Sequence, residues 1–136
     1  MQTVNLVEQQ ELEKANEYVA YWQKQLRLDH IDIEVILMRK EENDNLAQCT
    51  VAFGHHRQKV LVRHPADRSE RDREDFRRDL EVCVVHELLH TKEATWRDHP
   101  SVDDVFKKDR WLTGLHEDSL DAIAEALVRT RRGITR

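Results

Sequence analysis

Residues 80–90 read LEVCVVHELLH, a run that is apolar nearly all round yet holds two histidines and two glutamates. A helix that is apolar on all sides is buried. We therefore predict a helix beginning near Ser69 and ending near Thr91 whose first half is charged and whose second half lies in the core. Buried imidazole and carboxylate groups are costly unless they have partners. The polar side chains of this run are therefore the first candidates for a functional site.

The periodicity of apolar residues on either side of this run predicts the remaining elements. Apolar residues at three- and four-residue steps, after a start that resembles a capping box, predict a helix over residues 5–28. Apolar and polar residues alternate over 31–38, as in a strand. Two further strands are predicted over 46–53 and 59–63, joined by a short hairpin connection. A last amphipathic helix is predicted over 116–131.

These elements predict a single domain of the α+β class. The chain has 136 residues, enough for one domain that buries roughly two-thirds of its unfolded surface. In chain order we expect an N-terminal helix, a small and mostly antiparallel sheet of about three strands, the helix with the two histidines, and a C-terminal helix.

Charge and composition disfavour two classes of protein. The net charge is −5 with His counted as neutral, and residues 67–79 hold six Asp or Glu beside five Arg. Such interleaving is typical of a solvated helix face. The alternative of nucleic-acid binding through residues 71–78 is therefore weak, and no nucleic-acid partner is predicted. No apolar run approaches the ~20 residues that a membrane helix needs, so no membrane association is expected.

The two cysteines, Cys49 and Cys83, are too few for a disulfide framework. Residues 1–10 show no basic region followed by an apolar stretch, which is the pattern of a secretory signal. Both observations are typical of free thiols in a reducing compartment. We therefore predict a cytoplasmic protein.

The string His86-Glu87-Leu88-Leu89-His90 has the pattern H-E-x-x-H. Two histidines four positions apart lie on one helical face, one turn apart. Their imidazole nitrogens can converge on one tetrahedral metal ion at about 2.0–2.1 Å. Glu87 then lies beside the open position of the metal without being a ligand, where it can take a proton from a metal-bound water. The spacing therefore predicts a metal site with Glu87 as its base.

Catalytic zinc sites usually have three protein ligands and a water, so a third ligand is needed. Glu117 is the best candidate because it opens the last predicted helix, with Asp121 one turn later on the same face. His99 and His116 are the alternatives. No H-x-x-G-x-x-H pattern links His99 to His90. His116 adjoins Glu117 and points about 100° away from it if both are helical.

The H-E-x-x-H string from His86 to His90, followed by Glu117 and Asp121 in an E-x-x-x-D spacing, resembles the zincin metallopeptidases. It is most similar to the gluzincin branch typified by thermolysin, over about residues 79–128, and to the small intracellular members of that group. The resemblance implies a zincin-like minimal domain in which His86, His90 and Glu117 bind Zn²⁺. It also implies that Asp121 accepts a hydrogen bond from a zinc-binding histidine, expected to be His86, and so fixes the tautomer and orientation of that ring.

The predicted activity is zinc-dependent hydrolysis of peptide bonds, with Glu87 as general base and a peptide or protein as substrate. An extended peptide is expected to pair with an exposed sheet edge, either at residues 49–53 or at 60–63. The family usually stabilises the oxyanion with a His or Tyr after the Glu ligand. Here no His or Tyr follows His116, which is itself a candidate for that task.

The main alternative is a zinc-binding module that keeps the metal for stability or partner recognition and cleaves little. The absence of a His or Tyr after the predicted Glu ligand favours this alternative. The presence of Glu87 disfavours it, because a purely structural site does not need a base. The residue types also leave iron, manganese or another divalent ion open, since affinity order alone does not set the metal.

Overall fold

The computed structural model describes residues 2–39, 47–51, 57–97 and 110–133, which form a three-stranded sheet with helices packed against it. The elements, in chain order, are α1 (Gln2–Gln25), β1 (Asp32–Met38), β2 (Ala47–Val51), β3 (Arg57–Arg63), α2 (Glu70–Glu74), α3 (Leu80–Arg97) and α4 (Arg110–Arg132). Two 3₁₀ turns, Pro65–Asp67 and Phe76–Arg78, flank α2. Helices α1 and α3 pack against each other and against the sheet, and α4 packs on α3.

The sheet is mixed, so the predicted zincin-like domain with a mostly antiparallel sheet is wrong. The strand order is β1-β3-β2, with β3 in the centre. Strand β1 runs parallel to β3 over seven residue pairs, whereas β2 runs antiparallel to β3 over five. Helices make up most of the described residues. The protein is therefore a mainly helical domain with a small mixed sheet. The hairpin connection predicted between the last two strands lies outside the described residues.

Burial explains why β3 takes the central position. Val60 and Val62 of β3 are fully buried, and even Arg63 is almost completely covered. Both strands expose charged residues near their starts, Asp32 and Glu34 in β1 and Arg57 and Lys59 in β3. Short connections favour sequential antiparallel hairpins. In this sheet β3 lies between the other two strands, and four of its seven residues are buried, against two of seven in β1.

Two aspartates interrupt the long helix that the sequence predicts from residue 69 to residue 91. Asp75 and Asp79 have extended backbones, with ψ angles of 115° and 140°. Each carboxylate accepts a hydrogen bond from the backbone N–H two residues further on. Such N-cap bonds compete with helix continuation. The charged half of the predicted helix is therefore a separate short helix, and α3 begins at Leu80.

The first helix begins and ends three residues before its predicted bounds. Arg27 has a φ of 58°, in the left-handed region. The N–H of Leu28 donates to the carbonyl of Gln23 at 2.7 Å, and the N–H of Arg27 donates to the carbonyl of Lys24 at 3.2 Å. These are the two bonds of a Schellman motif, which satisfies the last carbonyls of a helix. The last helix also starts earlier than predicted, at Arg110.

Helix α3 is buried nearly all round, as its sequence predicts. Val84, Val85 and Leu88 are fully buried in one cluster with Trp22 of α1 and Ala124 of α4. Core burial of this kind accounts for the apolar character of the run. In the part of the chain that the structure describes, no helix is both long enough and apolar enough to cross a membrane.

A buried acid joins the ends of three helices. Glu81 is fully buried, and its carboxylate accepts hydrogen bonds from the indole of Trp22 at 2.7 Å, from Arg131, and from Arg132 at 3.1 Å. Burial alone would raise the pKa of Glu81, but these donors hold that pKa below its usual value. Arg132 also contacts Asp79 at 2.8 Å. The cluster ties the end of α4 to the start of α3 and so fixes how the two helices align.

We expect Glu81→Ala to lower the free energy of unfolding by about 3 kcal/mol, because removing one partner of a buried ion pair leaves the others uncompensated. Urea denaturation followed by circular dichroism measures this loss. The control is Glu17→Ala, which removes an exposed acid of α1 and should change stability by less than about 0.5 kcal/mol. A loss below about 1 kcal/mol for Glu81→Ala would show that the cluster contributes little.

Candidate metal centre

Two histidines of α3 share one face of the helix. His86 and His90 are one turn apart, and their ring centroids are separated by 4.9 Å. Their side chains are 13% and 23% exposed, so both rings lie at the border between the core and solvent. Val85 and Leu88, on other faces of α3, are fully buried and hold the helix in place. The two imidazoles are thus presented side by side from a rigid support.

Helix α4 brings Glu117 to both imidazoles. One carboxylate oxygen lies 3.0 Å from Nε2 of His86, and the other lies 3.2 Å from Nε2 of His90. Leu120 and Ala124, three and seven positions after Glu117, are buried and orient α4. Because residues three or four apart share a helical face, their burial turns Glu117 toward α3.

These three side chains fit the ligand set of a tetrahedral divalent cation. One nitrogen or oxygen atom from each of His86, His90 and Glu117 lies within 4.8 Å of the others. Ligand atoms bound at 2.0–2.1 Å to tetrahedral zinc are roughly 3.3 Å apart. The 4.8 Å limit that encloses one atom from each residue is wider than this spacing, so a modest approach of the three side chains would bring them to it. Within the described residues, this is the one cluster of three such groups.

Asp121 lies on the opposite edge of the His86 ring from Glu117. Its Oδ1 is 2.8 Å from Nδ1 of His86, a contact between potentially charged groups. Among the described residues, Nδ1 of His86 is buried and forms no hydrogen bond. The arrangement leaves Nε2 of His86 for the cluster and Nδ1 for Asp121, as in histidines that bind metals.

The side chains of the cluster polarise one another. Hydrogen bonds from His86 and His90 hold the pKa of Glu117 well below its usual range. Burial would lower the pKa of His86, but the nearby carboxylates, with Glu117 foremost, raise it above its ordinary value. The site therefore concentrates negative charge around two imidazoles, and a divalent cation would satisfy both kinds of ligand.

Glu87 is buried beside the cluster without belonging to it. Its carboxylate oxygen lies 3.9 Å from Nε2 of His86, and its side chain is 9% exposed. Burial raises the pKa of Glu87, and the two histidines only partly offset this effect. Desolvation of this kind makes a carboxylate a better proton acceptor. Glu87 is thus a buried carboxylate with a raised proton affinity beside the cluster.

The alternatives to Glu117 as the third ligand are His116 and His99. His116 is half-buried, and its ring centroid lies 6.1 Å from that of His90. It borders the cluster, whereas Glu117 contacts both histidines directly. His99 lies outside the described residues.

Cys83, one turn before His86, is buried, and burial raises the pKa of its thiol to about 12. A thiol that stays protonated at neutral pH is a packing group and a poor metal ligand.

The sequence did not reveal one pair that supports the cluster. The hydroxyl of Thr91, next to His90, donates to the side-chain carbonyl of Gln58 on β3, and it lies 3.2 Å from the carbonyl of Glu87. Both Thr91 and Gln58 are buried. The bond fastens the metal-site half of α3 to the sheet. Gln58 lies two positions before Val60 and therefore on the same, inward face of β3. Buried strand positions are normally apolar, so the polar Gln58 could have indicated that it has a buried partner.

No family model, curated protein or solved structure shows a significant match to this chain. The geometry of the cluster is therefore the basis for assigning a function.

We expect Asp121→Asn to weaken zinc binding about tenfold, because an amide supports the His86 imidazole less strongly than a carboxylate does. Competition with a chromophoric chelator measures the affinity. Asp118→Asn removes a charge from an exposed position three residues earlier and should leave the affinity unchanged. Equal affinities for the two variants would mean that Asp121 does not act through His86.

Proposed function

We propose that this protein is a zinc-dependent hydrolase of peptide bonds. One observation carries the proposal: two imidazoles and a carboxylate from two different helices converge within 4.8 Å, with buried Glu87 beside them. Catalytic zinc sites use such a set of three protein ligands and leave a fourth position for water or substrate. The proposal depends on these side chains and not on the sheet, which differs from that expected for a zincin.

Each residue of the cluster has a role in this proposal. His86, His90 and Glu117 hold the metal, and Asp121 orients the His86 ring. A zinc ion held there would supply Lewis-acid chemistry, which makes water a stronger nucleophile near neutral pH and a carbonyl more reactive. Glu87 accepts the proton of the attacking water and then delivers it to the leaving amine. The packing of α3 and α4 keeps these groups in place throughout the reaction.

Of the two segments predicted to pair with a substrate, one lies at an edge of the described sheet. Residues 60–63 belong to β3, which is paired on both sides and offers no free edge. Residues 49–51 belong to β2, which is an edge strand within the described sheet and packs near α3. We propose that an extended peptide pairs with β2 and so reaches the open side of the cluster.

Metal analysis followed by a cleavage screen tests the proposed function. The purified protein should bind about one zinc ion per chain. It should then cleave members of a peptide library detected by mass spectrometry. Removal of zinc with a chelator should stop cleavage, and added zinc should restore it. Zinc binding without any cleavage would instead favour a zinc-binding module, and failure to bind zinc would contradict both.

We propose that the protein acts in the cytoplasm. Cys83 is a free thiol buried in the core. A thiol of this kind is typical of proteins from reducing compartments. Fractionation of cells that express the tagged protein tests this location.

A further inference from the structure

A pocket of about 340 Å³ opens on the sheet where β1 and β3 begin. Its lining consists of two residues of β1 and three consecutive residues of β3: Asp32, Glu34, Arg57, Gln58 and Lys59. None of these residues belongs to the metal centre. The volume of the pocket falls within the range of about 300–1,000 Å³ that is typical of small-molecule sites.

The charged residues of this pocket lie on the face of the sheet that points away from α3. Successive side chains of a strand point to opposite faces, so Arg57 and Lys59 share one face and Gln58 points to the other. Gln58 is buried, and its side-chain carbonyl accepts a hydrogen bond from Thr91 of α3. Helix α3 therefore covers the face to which Gln58 points. The pocket and the metal centre are on different sides of the sheet.

The four charged side chains form two rows of opposite sign. In the parallel pairing of β1 with β3, Asp32 lies directly opposite Arg57, and Glu34 lies directly opposite Lys59. All four residues are exposed. Neighbouring strands are about 4.8 Å apart, so an acidic row on β1 runs close beside a basic row on β3. One small molecule can therefore contact both rows.

The two rows do not neutralise each other by direct contact. Opposite charges on adjacent strands commonly pair across a sheet. Within the part of the chain that the structure describes, no ion pair joins Asp32 or Glu34 to Arg57 or Lys59. The space between their side chains is the pocket itself. The charged groups of both rows are therefore available to a ligand.

The balance of these charges indicates the chemistry of the ligand. The acidic row would repel an anion, and the basic row would repel a cation. An ammonium group donates three hydrogen bonds and so suits two neighbouring carboxylates. The guanidinium of Arg57 can bind a carboxylate group through two parallel hydrogen bonds. A molecule that carries both an ammonium and a carboxylate group is therefore complementary to both rows.

We propose that this pocket binds a small zwitterion, either a free amino acid or a dipeptide. The ammonium group of the ligand contacts Asp32 and Glu34, and its carboxylate contacts Arg57 and Lys59. The inference is independent of the proposed hydrolytic function, because it uses none of the residues of the metal centre.

The spacing of the rows limits the length of the ligand. An extended chain spans at most about 3.3–3.6 Å per residue. The charged ends of an extended tetrapeptide are then roughly 13–14 Å apart, whereas the two strands are about 4.8 Å apart. A tetrapeptide can therefore place only one end in the pocket, whereas a free amino acid or a dipeptide can place both.

Amide NMR of the isotope-labelled protein, titrated with alanine, tests the proposal. We expect saturable shifts of the backbone amides of residues 32–34 and 57–59, with a Kd on the order of 1 mM. N-acetylalanine lacks the ammonium group and alaninamide lacks the carboxylate. Each of these two compounds should bind about tenfold more weakly than alanine.

Peptides of increasing length distinguish the two kinds of ligand. Dialanine and tetraalanine are titrated into the Glu87→Gln variant, so that hydrolysis does not interfere. The tighter of alanine and dialanine identifies the ligand as an amino acid or a dipeptide. Tetraalanine should bind at least about tenfold more weakly than the tighter of the two, because only one of its ends reaches the pocket.

Two variants of the pocket assign the two ends of the ligand. Arg57→Gln should weaken binding of alanine about tenfold and leave binding of alaninamide, which has no carboxylate, unchanged. Asp32→Asn should weaken binding of alanine and leave binding of N-acetylalanine, which has no ammonium group, unchanged. The matched controls Lys24→Gln and Glu17→Gln remove a base and an acid from α1 and should not change alanine binding. All four variants should fold, since all four positions are exposed.

Four outcomes would overturn the proposal. They are absence of saturable shifts with alanine, equal binding of alanine and its two blocked forms, tetraalanine binding as tight as that of dialanine, and an equal loss of alanine and alaninamide binding in Arg57→Gln. Shifts confined to residues 86–90 and 117 would place the ligand at the metal centre and would also overturn it. Because the pocket shares no residue with the metal centre, its failure leaves the proposed hydrolase function in place.

Discussion

We expect replacement of Glu117 with alanine to weaken zinc binding by about a hundredfold or more, because it removes one of the three proposed protein ligands. The carboxylate of Glu117 contacts Nε2 of both His86 and His90, at 3.0 and 3.2 Å. The two histidines alone retain only a weak site, since two ligands do not hold zinc well. Competition titration against a chromophoric chelator measures the change in affinity.

The control for this prediction is Glu125→Ala. Glu125 lies on the same helix about two turns later and does not belong to the cluster. The Glu125→Ala variant should bind zinc as tightly as the unaltered protein. Circular dichroism should show the same helical content for both variants, so that a change in zinc affinity reports the ligand and not the fold. If Glu117→Ala binds zinc normally, His116 becomes the better candidate, because its ring lies 6.1 Å from that of His90.

The convergence at the candidate site could be predicted because it depends on helical geometry within two short segments. His86 and His90 share a face by virtue of their spacing, and this follows from the sequence as soon as a helix is predicted. Glu117 and Asp121 share a face for the same reason. Their approach to α3 also requires the packing of α4, which the apolar stripe through Leu120 indicates.

The sheet could not be predicted in the same way. Its topology depends on which strand gains most from burial, and this is a property of the whole domain. The alternation in residues 31–38 indicates a strand but does not show that its neighbour is β3. The short connections suggested sequential hairpins, whereas β3 lies between β1 and β2. Long-range pairing of this kind leaves no local signal in the chain.

The helix boundaries were mispredicted for a different reason. Residues 69–91 have continuous helical periodicity, so a single helix was the simplest interpretation. The structure instead has caps at Asp75 and Asp79, whose carboxylates bond to backbone N–H groups. Aspartate favours such local bonds over helix interiors. The caps matter for the site, because they set where α3 begins and hence the direction in which His86 points.

Glu87→Gln is expected to reduce peptide hydrolysis by about 10²- to 10⁴-fold, the usual contribution of a general acid or base. The amide has nearly the same shape as the carboxylate but cannot accept a proton. Glu87 lies 3.9 Å from Nε2 of His86 and does not belong to the ligand cluster. Zinc affinity should therefore stay within about threefold of the unaltered protein, since all three ligands remain.

The contrast between the two variants separates the base from the ligands. Glu117→Ala should lose zinc and activity together, and activity should return in part at high zinc concentration because the base is intact. Glu87→Gln should keep zinc and recover no activity at any zinc concentration. The relevant measurement is kcat for a peptide identified in the cleavage screen, at saturating zinc. Retention of full kcat by Glu87→Gln would assign the proton transfer to another group, and His116, half-buried beside His90, would be the next residue to replace.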